Sequence, residues 1–264
     1  ALPCAIPEGV MKRSAVQKAF TTAAAACLLA VAAFSAWQVY GILHATSTAK
    51  KAYGAITRQA APQQQAEPST PKDPLQRRFD WASLQASYPD IVGWISDPAG
   101  SIDYPILQAA DNDYYLTHLP GGTQNNHGSL FLDHRGSADF SDFNNLVYGH
   151  NMKDGTMLAS LTGYADQDYY EAHSSLVLYT PQGNYILPVQ SAYETTANGS
   201  AYRMGGNAQN HAQWLQQIRE HSAVTAQPCS EAEPRILTLS TCINGTDSSD
   251  RRFVVHLAIL PAEA

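Results

Sequence analysis

The chain has 264 residues, 44% of them hydrophobic and 15% charged, a composition that can bury a sizeable core and excludes a disordered or collagen-like chain. Its formal net charge is −7, and beyond residue 50 there are 12 basic against 22 acidic side chains, a balance of −10 that would repel a phosphate backbone and argues against a nucleic-acid partner. Four cysteines, Cys4, Cys27, Cys229 and Cys242, are too few and too scattered for a disulfide framework, and no pair has the short C-x-x-C spacing of a zinc site.

Residues 1–18 read as an upstream extension, ahead of a start-like Met11-Lys12-Arg13, followed by a short cytoplasmic segment. From residue 19 to residue 49 there is no Asp, Glu, Lys or Arg, and Ala, Leu, Val and Phe dominate, with Trp37 and Tyr40 near the far end. Residues 19–45 are therefore long and apolar enough for a transmembrane anchor with interfacial aromatics. Lys12, Arg13 and Lys18 on one side and Lys50 and Lys51 on the other mildly favour a cytoplasmic N-terminus, which puts the rest of the chain outside a single-pass membrane helix. A cleaved signal peptide is the alternative, because Ala33-Phe34-Ser35 resembles a cleavage site; the apolar run, however, continues through Val39, Tyr40, Ile42 and Leu43.

Residues 46–74 are rich in Pro, Gln and Ala and have the composition of an extended spacer, leaving residues 75–264 as the folded domain. Asp73 as N-cap, Pro74 at the first helical position and Gln76 predict a helix that carries Leu75, Phe79 and Leu84 and ends before Pro89. Short β-branched and aromatic runs follow at 91–95, 102–107, 129–132, 145–148, 175–180, 185–193, 236–240 and 253–260. Eight such strands make the domain mainly β and imply a barrel or a sandwich. Between the sixth and seventh, residues 207–222 repeat His211, Trp214, Leu215, Ile218 and Ser222 at helical spacing, which predicts an inserted helix. His211 and His221 on that helix are expected to be solvated, and Cys229 to be a surface or half-buried thiol.

The chemistry-bearing residues stand at strand ends. Cys242 closes the apolar run 236–241 just before the loop-like Asn244-Gly245-Thr246-Asp247, so its thiol is accessible. A nucleophilic cysteine needs a base or cation to hold its thiolate and a donor for the oxyanion that develops on the attacked carbonyl. His150 follows Gly149 at the end of another strand, and Arg252 opens the last strand ten residues after Cys242. Arg251 competes with Arg252 as the cation, because strand alternation allows only one of them to share a face with the cysteine.

These residues sit inside longer motifs: Asp90-Ile91-Val92-Gly93-Trp94-Ile95, Ile102-Asp103-Tyr104-Pro105-Ile106, Asp111-Asn112-Asp113-Tyr114-Tyr115-Leu116, Gly128-Ser129-Leu130-Phe131-Leu132-Asp133, Tyr148-Gly149-His150-Asn151-Met152-Lys153-Asp154-Gly155-Thr156-Met157, Thr238-Leu239-Ser240-Thr241-Cys242 and Arg252-Phe253-Val254-Val255. In order and extent they resemble the sortases, the cysteine transpeptidases of Gram-positive bacteria, and among them class B. The resemblance implies a closed eight-stranded β-barrel with an N-terminal helix and a helix inserted before the seventh strand, preceded by the membrane anchor. It implies Cys242 as nucleophile, His150 as catalytic histidine and Arg252, rather than Arg251, as catalytic arginine. Asn112 and Leu116 match substrate-groove positions, Ser240 and Thr241 precede the nucleophile where the family contacts its substrate, and Tyr202 is a looser match. Asn244 departs from the pattern, standing where some members carry an acidic residue.

By the same resemblance the enzyme is a thiol peptidase and acyl transferase of the EC 3.4.22 type that needs no metal or other cofactor. Its substrates are surface proteins or pilins with a C-terminal L-P-x-T-G-like sorting signal, in class B often an N-P-x-T variant, and its second substrate is an amine of the peptidoglycan cross-bridge or a pilin lysine. The expected outcome is attachment of the protein to the cell wall. A pilin-polymerising enzyme, a secreted cysteine peptidase that uses water and a membrane-tethered binding module are the alternatives.

Overall fold

The computed structural model describes residues 8–61, 73–229, 234–243 and 250–262. It divides into two compact units, Ala1–Thr48 and Ala49–Ala264. Helix α1 (Glu8–Ala60) forms the described part of the first up to Thr48 and its last residues belong to the second; it is long and apolar enough to cross a membrane. Apolar side chains on it such as Phe20, Leu28 and Trp37 are exposed.

The expected spacer is helical as far as Ala60, and the second unit begins at Ala49 rather than at residue 75. Ala49, Tyr53, Ile56 and Ala60 recur at three- and four-residue steps and form an apolar stripe along this last part of α1. Ala49, Ile56 and Ala60 are buried, Tyr53 Oη donates to the Gly128 carbonyl at 2.7 Å, and its ring meets Tyr104 edge-on. Alanine-rich composition reads as spacer only until such a stripe finds a partner. Residues 62–72 of the expected spacer lie outside the described residues.

The single helix expected after Asp73 is two pieces. Asp73 accepts from the Leu75 N–H and starts a one-turn 3₁₀ helix, Pro74–Gln76. A second cap, Asp80, then starts α2 (Trp81–Ser87) by accepting from the Ser83 N–H at 3.1 Å. Phe79, between the two, packs on Trp81, Trp94 and Tyr179.

The strands are β1 (Ile91–Ser96), β2 (Asp103–Leu107), β3 (Leu130–Leu132) and β4 (Asn144–Tyr148); after helix α3 (Gln167–Ala172) come β5 (Ser175–Thr180) and β6 (Gly183–Thr196). Helix α4 (Ala208–Glu220) then precedes β7 (Ile236–Cys242), β8 (Arg251–Ala258) and a two-residue β9 (Leu260–Pro261) that pairs with β6. Eight strands form a closed ring in the order β5-β1-β2-β3-β4-β7-β8-β6, sealed by the antiparallel pairing of β6 with β5. The β2–β3 and β4–β7 pairs are parallel and the other neighbours antiparallel. Closure removes the exposed edge that a sandwich would keep. The barrel is filled by alternate residues of these strands, among them Ile95, Ile106, Leu130, Val147, Leu178, Leu239 and Val255.

Helix α4 begins at Asn207, which caps the Asn210 N–H, and lays Trp214, Leu215 and Ile218 on Ile236, Val254 and Ala258. His211 is buried on this helix, against the expectation of a solvated residue: Nε2 donates to the Pro234 carbonyl at 2.9 Å and the ring stacks on Phe143. It occupies a position on the inward stripe, one turn before Leu215. His221 is exposed at the C-cap, and Cys229 is half-buried.

Candidate active site

Strands β4 and β7 run parallel with Tyr148 opposite Ser240, so His150 and Cys242 each lie two residues past a matched pair. Because side chains alternate along a strand, the imidazole and the thiol emerge at the same rim of the barrel. Three hydrogen bonds lock the two strand ends together. The Gly149 N–H donates to the Ser240 carbonyl at 3.2 Å, Thr241 Oγ1 donates to the Gly149 carbonyl at 2.8 Å, and Asn151 Nδ2 donates to the Cys242 carbonyl at 2.9 Å. Gly149 has no room for a side chain: a Cβ there would collide with Leu130 and come within 2.9 Å of Leu158.

Antiparallel β8 places Arg252 directly opposite Cys242. Arg251 points to the other face, where it pairs with Glu194 on β6. The strand geometry thus separates the two arginines that the residue pattern alone left open. A carbonyl oxygen only accepts, so in the 2.7 Å contact of His150 with the Leu116 carbonyl it is the Nε2–H that donates.

Cys242, His150 and Arg252 line one groove of about 730 Å³, within the size range of small-ligand and peptide sites. Asn112, Leu116, Tyr202, Ser240 and Thr241 line it as well, so all eight residues singled out in the sequence meet there. They reach it differently. Leu116 lies in a 3₁₀ turn, Tyr114–Leu116, and keeps an exposed side chain over the groove. Tyr202 sits in a second 3₁₀ turn, Ser200–Tyr202, and its hydroxyl meets Ser240 Oγ at 2.7 Å. Burial pushes that hydroxyl's pKa up, against the Ser240 hydrogen bond and the nearby Arg252 charge, which lower it, so the phenol stays neutral. Thr241 is buried and holds the backbone.

Asn151, Tyr148 and Arg135 are parts of the site that the residue pattern did not single out. Asn151 was legible only as the neighbour of His150. Tyr148 and Arg135 depend on which strand lies beside which. Asn244 lies outside the described residues. Among the described residues, no group of three or more His, Cys, Asp or Glu side chains is arranged to hold a metal ion.

No protein-family model matches the chain. It is 36% identical over 180 residues to sortase B of Listeria monocytogenes, covering 68% of this chain and 73% of that one. With sortase B of Staphylococcus aureus it shares 33% identity over 184 residues, 69% of this chain and 75% of the other. A solved sortase B–substrate complex from Staphylococcus aureus superposes with a TM-score of 0.65 at 33% identity, covering 69% of this chain and 85% of that one. The class defined by this fold and these relatives is the sortases, cysteine transpeptidases of the cell envelope. Within that class the chain belongs to the sortase B family.

Proposed function

We propose that this sortase is held in the membrane by α1, with its barrel outside the cell, and that it joins proteins carrying a C-terminal sorting signal to an amine of the cell wall. The observation that carries this reading is the meeting of Cys242, His150 and Arg252 in one groove, with Cys242 and Arg252 paired across β7 and β8 and His150 two residues past the end of β4. The signal is of the L-P-x-T-G or N-P-x-T type.

Cys242 Sγ, as thiolate, attacks the carbonyl carbon of the signal's threonine. Arg252, across the strand pair from the sulfur, donates to the oxyanion, where a guanidinium fork gives two directed N–H groups. The C–N bond breaks as His150 gives its proton to the departing amine, leaving a thioester on Cys242. The incoming amine then loses its proton to His150 and attacks the thioester, and the thiolate is regenerated. Asn112, Leu116, Ser240, Thr241 and Tyr202 form the walls that hold the peptide during both steps.

Incubation of the full chain in detergent with NPATN-type and LPATG-type peptides and triglycine tests this reading. The expected product is the peptide joined through its threonine to triglycine, and Cys242→Ala yields none. Cleavage to a free threonine carboxylate, unchanged by added triglycine, identifies a peptidase instead.

A further inference from the structure

Part of the groove is organised by a side chain that the proposed chemistry does not use. Asp133 follows β3, is fully buried, and has its own backbone fixed: its N–H donates to the Leu146 carbonyl at 2.8 Å, and its carbonyl accepts from Gly136 and Gln108. Its carboxylate accepts from five donors. They are the Arg135 N–H at 3.0 Å, Arg135 Nε and Nη2 at 2.8 Å each, Tyr148 Oη at 2.9 Å and Asn112 Nδ2 at 3.0 Å. Burial alone would raise the pKa of this carboxyl, but the donors outweigh it and hold the group below the usual carboxylate range. About four lone-pair sites are available on a carboxylate, so Asp133 has no capacity left for a substrate.

Asn112, Tyr148 and Arg135 all line the groove that contains Cys242. Asn112 is held at both ends, because its Oδ1 also accepts from the His134 N–H at 2.9 Å. The Arg135 side chain is 60% exposed, and with Nε–H and one Nη2–H committed to Asp133, three donors, both on Nη1 and one on Nη2, are not taken up by that carboxylate. A guanidinium clamped in this way has already lost the rotamer freedom that binding a peptide would otherwise cost it.

Resting on the reading that this groove takes a peptide, we infer that Asp133 is a positioning residue of the peptide groove and that Arg135, held by it, is a further substrate-binding residue. Arg135 donates to an oxygen of the bound peptide. Asp133 itself touches no substrate and acts through Asn112, Tyr148 and Arg135.

The test uses the full chain in detergent with NPATN-type and LPATG-type peptides, the variants Arg135→Met and Asp133→Asn, and calorimetric binding to the same variants carrying Cys242→Ala. Arg135→Met keeps an apolar stem and removes the donors. It is expected to raise KM about tenfold, to change kcat less than about twofold, and to weaken peptide binding by the same factor as KM, the scale of one lost hydrogen bond from a charged group. Asp133→Asn, which releases Asn112 and Arg135 together, raises KM further. Labelling of Cys242 by iodoacetamide, which needs no groove, keeps its rate in Arg135→Met. Wild-type KM and Kd in Arg135→Met overturn the inference, and so does a fall in kcat accompanied by slowed labelling. If Asp133→Asn fails to fold, Arg135→Met still decides. A wild type that binds peptide without transferring it refutes the transpeptidation reading alone, and the Kd series then judges the groove; a wild type that binds neither peptide overturns both.

Discussion

The side-chain amide of Asn151 donates to the backbone carbonyls of Cys242, at 2.9 Å, and Ile243, at 3.1 Å, so the residue next to His150 ties down the strand end that carries the cysteine. Removing it leaves the thiol and imidazole in place but loosens their separation, and catalysis is sensitive to displacements on the ångström scale. Asn151→Ala is expected to lower kcat/KM about tenfold while costing about 1–2 kcal/mol of stability, the scale of two neutral hydrogen bonds. Asn151→Asp should be worse, because a carboxylate cannot donate and faces two carbonyl oxygens. Steady-state kinetics beside urea unfolding separates the two effects.

The opposite placement of Arg252 and Arg251 gives a paired prediction. Arg252→Lys keeps the charge and loses the fork across from Cys242, and kcat is expected to fall about 100-fold or more, as when an oxyanion donor is lost. Arg251→Gln breaks only the exposed pair with Glu194 and should leave kcat within about twofold. Equal losses in both variants, measured by peptide transfer, would contradict the assignment.

A buried imidazole sets an acid limb of stability. His256 is fully buried between Thr238 and Tyr193, and burial pushes its pKa from 6.5 down to about 3. The unfolded chain takes up a proton near pH 6.5 and the folded one does not until about pH 3, so this contribution is complete above pH 6.5 and is lost as pH falls through that window. Its slope reaches about 1.4 kcal/mol per pH unit. His256→Gln should flatten the decline in urea stability between pH 7 and pH 4.5; a variant as steep as the wild type would refute this.

The buried end of α1 predicts where the folded unit starts. Ile56 is fully buried beside Leu84 and Trp94, and Ile56→Ala is expected to cost about 2–4 kcal/mol. A fragment beginning at residue 75 lacks this helix and should melt well below one beginning at residue 49, measured by thermal unfolding followed by circular dichroism.

The strands are legible because their signals are local. The run 236–241 is apolar and β-branched whatever surrounds it, and Cys242 and His150 each end such a run. The end of α1 was not legible because its stripe is made of Ala49, Tyr53, Ile56 and Ala60 within spacer-like composition, and only the barrel surface that covers it gives it meaning. His211 is hidden for the same reason: a single histidine among Gln and Asn looks solvated until the Pro234 carbonyl is beside it. Asp133 shows the limit most clearly. Arg135 is two residues away in sequence, but Tyr148 and Asn112 reach the carboxylate from another strand and from a loop, contacts that exist only once β3 is paired between β4 and β2.

The most direct measurement is intact-mass spectrometry of the full chain in detergent, mixed with an NPATN-type peptide and quenched in acid before any amine is added. The account predicts a mass increase equal to the peptide up to its threonine, mapped to Cys242, labile to hydroxylamine and absent in Cys242→Ala. Peptide turnover with no adduct on Cys242, or with Cys242→Ala still active, would contradict it.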